Sequence, residues 1–273
     1  MEWVVEKDLT AYVDRVLPWL ERSPIWNTVP ATVLLTRRDG TITTPEPWLA
    51  WLDDGAGAVA GVALRTPPRG LLIPPLPDGA AAGLADVAPP ELPGAAGPTT
   101  EVTGFTGAYA ARTGATAQPG DHLRLYELPE LVPPPAPPGA ARIAESADVD
   151  LVDRLFVQFT AETGTPADPD PDATRRVVAQ GRIWLWQGAD GPVCLVGHSP
   201  TVGGVTRIGP VSTLPEHRRR GYAAALTAAV ARRLLGRGRV VLFADLANPT
   251  STGVYLRIGF RPVGDWDEWR LEY

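Results

Sequence analysis

Between Pro129 and Gly139 the chain reads Pro-Glu-Leu-Val-Pro-Pro-Pro-Ala-Pro-Pro-Gly, six prolines in eleven residues. Each proline fixes φ and removes a backbone donor, so the stretch can be neither a helix interior nor a central strand. It also lacks hydrophobic periodicity, and it reads as a stiff, extended connector near the middle of a 273-residue chain. On either side lie segments of ordinary domain length, residues 1–128 and 141–273, joined by 129–140. The alternative is an edge segment packed on one large domain.

A hydrophobic content of 44% is enough for two cores. There is no apolar run of membrane-spanning length, and Met1-Glu2-Trp3 does not open a charged, then apolar, then small-residue leader, so no membrane span and a cytoplasmic location are expected. The single cysteine, Cys194, excludes an internal disulfide and any cysteine-based metal site. Set in the apolar run Val193 to Val196, it reads as a buried core thiol, and no metal is expected. A net charge of −6 argues against nucleic acid as a partner. Against that background residues 216–239 hold seven arginines and one acid, Glu216, a local balance that suits a ligand carrying several phosphates. Arg232 and Arg233 are equally explained as complements to a helix C-terminus, so phosphate contact is assigned only to Arg218, Arg219 and Arg220.

Those three arginines open the segment Glu216-His-Arg-Arg-Arg-Gly-Tyr-Ala223, followed by an Ala/Leu/Val-rich run to Leu235. Arg218, Gly221 and Ala223 stand in the frame Arg-x-x-Gly-x-Ala. Glycine permits a tight turn, and small residues let a bulky anion approach the free N–H groups of the first helical turn, where the helix dipole favours it. An ordinary strand-to-helix turn is the other explanation of this frame taken alone.

Periodicity gives the surrounding elements. In the C-terminal half, helices are expected over 148–163, 172–180, 221–235 and from Asn248-Pro249 to Gly259, with strands over 182–187, 193–198, 204–213, 240–245, 261–264 and 268–273. Gly209-Pro210 suggests a bulge or splay inside the 204–213 strand. In the N-terminal half, helices are expected over Leu9–Leu20 and Gly104–Arg112, and strands over Ala31–Thr36, Trp48–Asp53, Ala58–Leu64 and His122–Leu128. Together these elements make a mixed α/β sheet with helices on both faces.

About twenty-five residues beyond the Arg-rich turn comes a second motif, Asn248-Pro-x-Ser251-x-x-x-Tyr255-x-x-x-Gly259-Phe260. With both motifs in order, residues 141–273 resemble the GNAT superfamily of acyl-CoA-dependent N-acyltransferases. The resemblance implies a GNAT fold for this half. It implies that Arg218, Arg219, Arg220, Gly221, Tyr222 and Ala223 hold the coenzyme A pyrophosphate, and that the strand before them, at Val211, Ser212 and Thr213, aligns with the pantetheine arm. Asn248 and Ser251 would lie near that arm, and Tyr255 would protonate the departing thiolate. Asn248 also reads as a plain helix cap, and the two roles can coexist. The N-terminal half carries no such turn and looks like a degenerate GNAT-like repeat, shaping the substrate cleft or supporting the other half.

Acetyl transfer from acetyl-CoA to an amine in a ternary complex is the activity this resemblance implies, since no nucleophile motif is present for a covalent intermediate. A phenol and a thiol have comparable intrinsic pKa values, about 10 and 8.5, so Tyr255 suits the thiolate as a proton donor. A core tyrosine is the other reading. The general base has no diagnostic spacing; Glu162, Asp245 and His198 are candidates, with Glu162 and Asp245 favoured, while His217 reads as a phosphate or surface residue and His122 has no evident partner. A longer acyl group, as in a mycothiol-synthase-like reaction, and a non-catalytic acyl-CoA sensor are the alternatives. The acceptor is a small-molecule or peptide amine of unspecified identity, and the chain is compatible with a monomer or an oligomer.

Overall fold

A computed structural model of the chain describes residues 1–41, 45–164, 170 and 172–273. The chain divides into two compact units. The first comprises Met1–Arg124, Asp245–Ala247 and Gly264–Tyr273, and the second comprises Leu125–Ala244 and Asn248–Val263. The expectation of a domain spanning 141–273 therefore differs from the structure at the last ten residues, and the Pro-rich stretch lies within the second unit. There Val132 N donates to Ile258 O at 2.9 Å and Trp186 Nε1 to Pro138 O at 3.1 Å.

The first unit opens with strand β1 (Glu2–Glu6), helices α1 (Leu9–Leu20) and α2 (Thr28–Arg38), and strands β2 (Trp48–Asp53), β3 (Val59–Arg65) and β4 (Leu71–Leu72). Helix α3 (Ala80–Val87), strand β5 (Gly94–Pro98), helix α4 (Thr99–Thr113) and strand β6 (Thr116–Glu127) follow, β6 belonging to this unit as far as Arg124. Asp8 caps α1 by accepting from Thr10 N and Ala11 N, and the helix buries Tyr12, Val13, Val16 and Leu20 on one stripe. The Tyr12 hydroxyl lies within hydrogen-bond reach of Ala50 O on β2 and Ala63 O on β3, which fixes the helix on the sheet.

Two expectations are corrected here. Ala31–Thr36 is not a strand but part of α2. Its β-branched threonines suit the helix because Thr32 Oγ1 donates to Thr28 O at 2.7 Å and Thr36 Oγ1 to Thr32 O at 2.8 Å, while both side chains are buried. Likewise, 261–264 and 268–273 form one continuous strand, β12 (Arg261–Glu272). Gly264 marks close packing in place of a turn: a Cβ there would sit 2.3 Å from the Trp26 ring. From Trp266 to Arg270 this strand pairs antiparallel with β5, which assigns the end of the chain to the first unit. The strand order of the unit is β1-β2-β3-β4-β5-β12, with β6 beyond β12.

The second unit contains β7 (Ala140–Ile143), α5 (Val149–Thr163), α6 (Ala173–Ala179), β8 (Ile183–Gly188), β9 (Gly191–His198), β10 (Val205–Thr213), α7 (Tyr222–Leu235), β11 (Arg239–Asp245) and α8 (Pro249–Arg257). Its strand order is β11-β10-β9-β8-β7, parallel between β10 and β11 and antiparallel elsewhere. The strand period of two separates the faces. Trp184, Trp186, Cys194 and Val196 pack with Leu226, Val230 and Leu234 of α7 and Tyr255 of α8. Ile183, Leu185 and Leu195 pack with Val152 and Leu155 of α5 and Val178 of α6. Helices therefore cover both faces of this sheet, as the sequence predicts.

Candidate active site

Strand β10 changes partners midway. Its parallel pairing with β11 runs from Val205↔Arg239 to Ile208↔Leu242 and stops there. On the other side, its register against β9 shifts between Ile208 and Val211, then resumes as Val211↔Val196, Ser212↔Leu195 and Thr213↔Cys194. Gly209-Pro210 occupies the shift, and a proline cannot donate to a ladder. The expected splay is present, and it leaves Val211, Ser212 and Thr213 with one edge not laddered to β11.

A short 3₁₀ turn, Pro215–His217, leads from that edge to α7. Arg219 at φ +60° and Gly221 at φ +84° are both left-handed, with Arg220 at negative φ between them. Such alternation points successive amides toward one concavity that suits an anion. Gly221 is the N-cap of α7, and no side chain caps the first turn. A Cβ on Gly221 would meet nothing within 4 Å, so the space in front of the turn is open. Tyr222 packs its ring 6.1 Å from His217, edge-on, and 6.4 Å from Trp186, while Ala223 is half-buried against the same core.

The three arginines divide by role. Arg218 Nη2 lies 2.5 Å from Glu162 Oε1, and its Nε donates to Thr213 O at 3.1 Å. Glu162, one of the expected bases, thus braces α5 against the end of β10; Gln158 Nε2 joins it at 3.1 Å and also reaches Thr213 O at 3.4 Å. Arg219 and Arg220 are exposed and make no ion pair among the described residues. Gln158 had no sequence signal beyond its place one turn before Glu162 on an amphipathic helix.

On the second motif, Asn248 Oδ1 accepts from Ser251 N at 3.1 Å and caps α8, with Pro249 in the first turn. Tyr255 is buried, its ring 6.0 Å from that of Phe260. Burial pushes its phenol well above the ordinary range, with a smaller contribution from nearby Cys194. Its hydroxyl has no hydrogen-bond partner among the described residues and is not sealed from solvent. Cys194 is buried, as its sequence context predicts; burial pushes its thiol up to about 11, against a bond from Thr213 Oγ1 at 3.2 Å. A thiol held neutral in this way is a poor nucleophile.

The remaining candidates lie elsewhere. Asp245 Oδ1 accepts from Ala247 N at 2.8 Å, and both residues group with the first unit. His198 holds Nδ1 2.9 Å from Ser199 O at the far end of β9, and burial lowers its pKa. In the first unit His122 pairs with Asp267, beside the bidentate Arg124–Asp265 pair. Among the described residues no group of three or more His, Cys, Asp or Glu could hold a metal ion, and no helix is long and apolar enough to cross a membrane.

Comparison with known proteins bears on this geometry. A family model described as FR47-like protein matches residues 200–270, a span containing β10, the Arg-rich turn and α8. A search of curated proteins gives no match. Among solved structures, a Drosophila protein aligns over 99% of this chain and 98% of its own, at 16% identity and a TM-score of 0.69. A GNAT-family acetyltransferase from Colwellia psychrerythraea aligns over the whole of both chains, at 11% identity and a TM-score of 0.62. The chain has the GNAT fold. A tandem GNAT protein from the clavulanic acid biosynthesis pathway aligns over 98% of this chain and 97% of its own, at 14% identity and a TM-score of 0.60, so the tandem GNAT layout extends across both units.

Proposed function

We propose that this protein is an acetyl-CoA-dependent N-acetyltransferase whose coenzyme site lies in the second GNAT unit. The reading rests chiefly on the uncapped, open first turn of α7 at Gly221, beside a strand edge that stops pairing at Ile208. A pyrophosphate fits that turn because Arg219 and Gly221 are left-handed, the first turn of α7 has no side-chain cap, and Arg219 and Arg220 make no ion pair among the described residues. The free edge at Val211 to Thr213 offers backbone groups to an extended amide-bearing arm. Bound there, acetyl-CoA supplies a thioester, the acyl group that an amine attacks.

Tyr255 holds the proton that the departing thiolate needs. Its raised pKa does not spoil the match, because the same burial pushes the neighbouring Cys194 thiol up to about 11. A thiolate leaving beside Tyr255 is likewise a stronger base than in water, and the donor and acceptor rise together. The amine nitrogen forms the new C–N bond, the C–S bond breaks, and the amine loses one proton. That proton passes to solvent water, since Glu162 holds Arg218 and Asp245 groups with the first unit.

Calorimetric titration with acetyl-CoA tests the reading, with desulfo-CoA and adenosine bisphosphate as comparators. One site per chain, followed by acylation of a member of an amine library, is the expected result. Absence of binding overturns the coenzyme assignment. Binding without acylation of any amine favours the non-catalytic sensor.

A further inference from the structure

At the end of α7 remote from Gly221, the second unit has a half-open pocket of about 330 Å³. Tyr222 and Arg233 are eleven residues apart on this helix, about 16 Å along its axis, so the cavity is separate from the coenzyme turn. Its volume is within the range of small-ligand sites.

Three guanidinium groups come to it from two elements: Arg182 from the start of β8, and Arg233 and Arg237 from the end of α7 and just beyond. Among the described residues no Asp or Glu lines the cavity. Arg233 and Arg237 are exposed and make no ion pair among the described residues. The dipole at a helix C-terminus accounts for one or two cations in the last turn. It does not account for placing Arg182, which also donates to Gln180 Oε1, in the same wall. Half-buried His198, also in the wall, is held toward its neutral form by its partial burial and, to a smaller extent, by Arg182 and Arg237.

The rest of the wall mixes polar Gln180, Ser199 and Thr201 with apolar side chains, among them Ile143 and Trp184. Trp184 is only partly buried and Ile143 is 41% exposed, an unusual exposure for a large aliphatic side chain on a paired strand. A pocket lined by three arginines together with an indole and an aliphatic side chain suits a ligand with an anionic head and an apolar body.

We propose that this cavity is a second ligand site, independent of acetyl transfer, for a small organic anion: a carboxylate or phosphate carried on an aromatic or aliphatic body. The arginines take the head by paired N–H bonds, and Trp184 and Ile143 cover the body.

Calorimetry on the full chain, saturated with acetyl-CoA to occupy the other anion site, tests this with benzoate and phenyl phosphate as probes and benzyl alcohol as the neutral control. At least one anion is expected to bind at one site per chain, with benzyl alcohol at least tenfold weaker. Arg233→Gln/Arg237→Gln, at exposed positions and checked for folding by circular dichroism, is expected to weaken the anion at least tenfold. Gly221→Val, tested without acetyl-CoA, is expected to leave it unchanged. The proposal is overturned if neither anion binds, if benzyl alcohol binds equally well, if the folded double variant keeps full affinity, or if Gly221→Val abolishes the binding.

Discussion

Gly221→Ala separates the backbone role of this glycine from its role in binding. At φ +84° an alanine pays left-handed strain of about 1–2 kcal/mol, but its Cβ meets nothing within 4 Å, so no clash adds to that cost. For a chain of this size such a loss lowers Tm by about 2–8 °C. Gly204 gives a control within the same unit: it sits at φ +72°, also with nothing within 4 Å of an added Cβ, at the opposite end of β10. Gly204→Ala should therefore fall in Tm by a similar amount. The two part in coenzyme affinity. A methyl group in the open space before α7 holds a pyrophosphate off the first-turn amides; two charge-assisted bonds lost, at about 1.5–3 kcal/mol each, correspond to roughly 10²–10⁴-fold in Kd. Thermal unfolding and acetyl-CoA calorimetry on both variants make the comparison. If Gly221→Ala binds acetyl-CoA within about threefold of Gly204→Ala, the turn does not carry the pyrophosphate and the coenzyme assignment falls.

Tyr255→Phe should lower kcat by about 10²–10⁴-fold with acetyl-CoA affinity kept, and Tm should hardly move because the hydroxyl has no partner among the described residues; unchanged turnover in steady-state assays excludes it as the proton donor. Tyr12→Phe removes the single O–H shared between the Ala50 and Ala63 carbonyls and should cost about 1–3 kcal/mol in denaturant unfolding, so an unchanged midpoint refutes the anchoring role. Arg142 holds the Asp148 carboxyl below its ordinary value. Because the folded value is the lower one, the stabilisation is present above about pH 4 and lost as pH falls through the folded pKa. Asp148→Asn should flatten that part of the pH–stability curve, and an unaltered acid limb contradicts the pairing.

The parts legible in the sequence are those where local chemistry and packing agree. Helix α1 has its Asp8 cap and a 3.6-residue stripe, and α7 has its stripe and the glycine before it. The break in β10 was visible because Gly209-Pro210 cannot continue a ladder on both sides. Helix α2 was hidden because threonine favours strands until its hydroxyl finds a carbonyl one turn back, which only the burial of that face makes worthwhile. Strand β5, Gly-Ala-Ala-Gly-Pro, has no strand-forming side chains at all; its smallness is what its place requires, since a Cβ on Gly97 would come 2.4 Å from Ile73 O. The coenzyme turn was readable for a different reason: binding an anion through backbone amides needs particular small residues in a short contiguous order. The base was not readable, because a carboxylate's role is decided by what faces it, and Glu162 faces Arg218.

Strand β12 also sets an order of events during synthesis. Most of the first unit precedes the second in the chain, yet the strand that covers β5 is made only after nearly all of the second unit. Until then β5 lacks its β12 partner and presents a bare, side-chain-poor edge to other chains. The nascent chain therefore holds an unfinished early unit while the second is being made, and its vulnerability to self-association persists until β12 emerges.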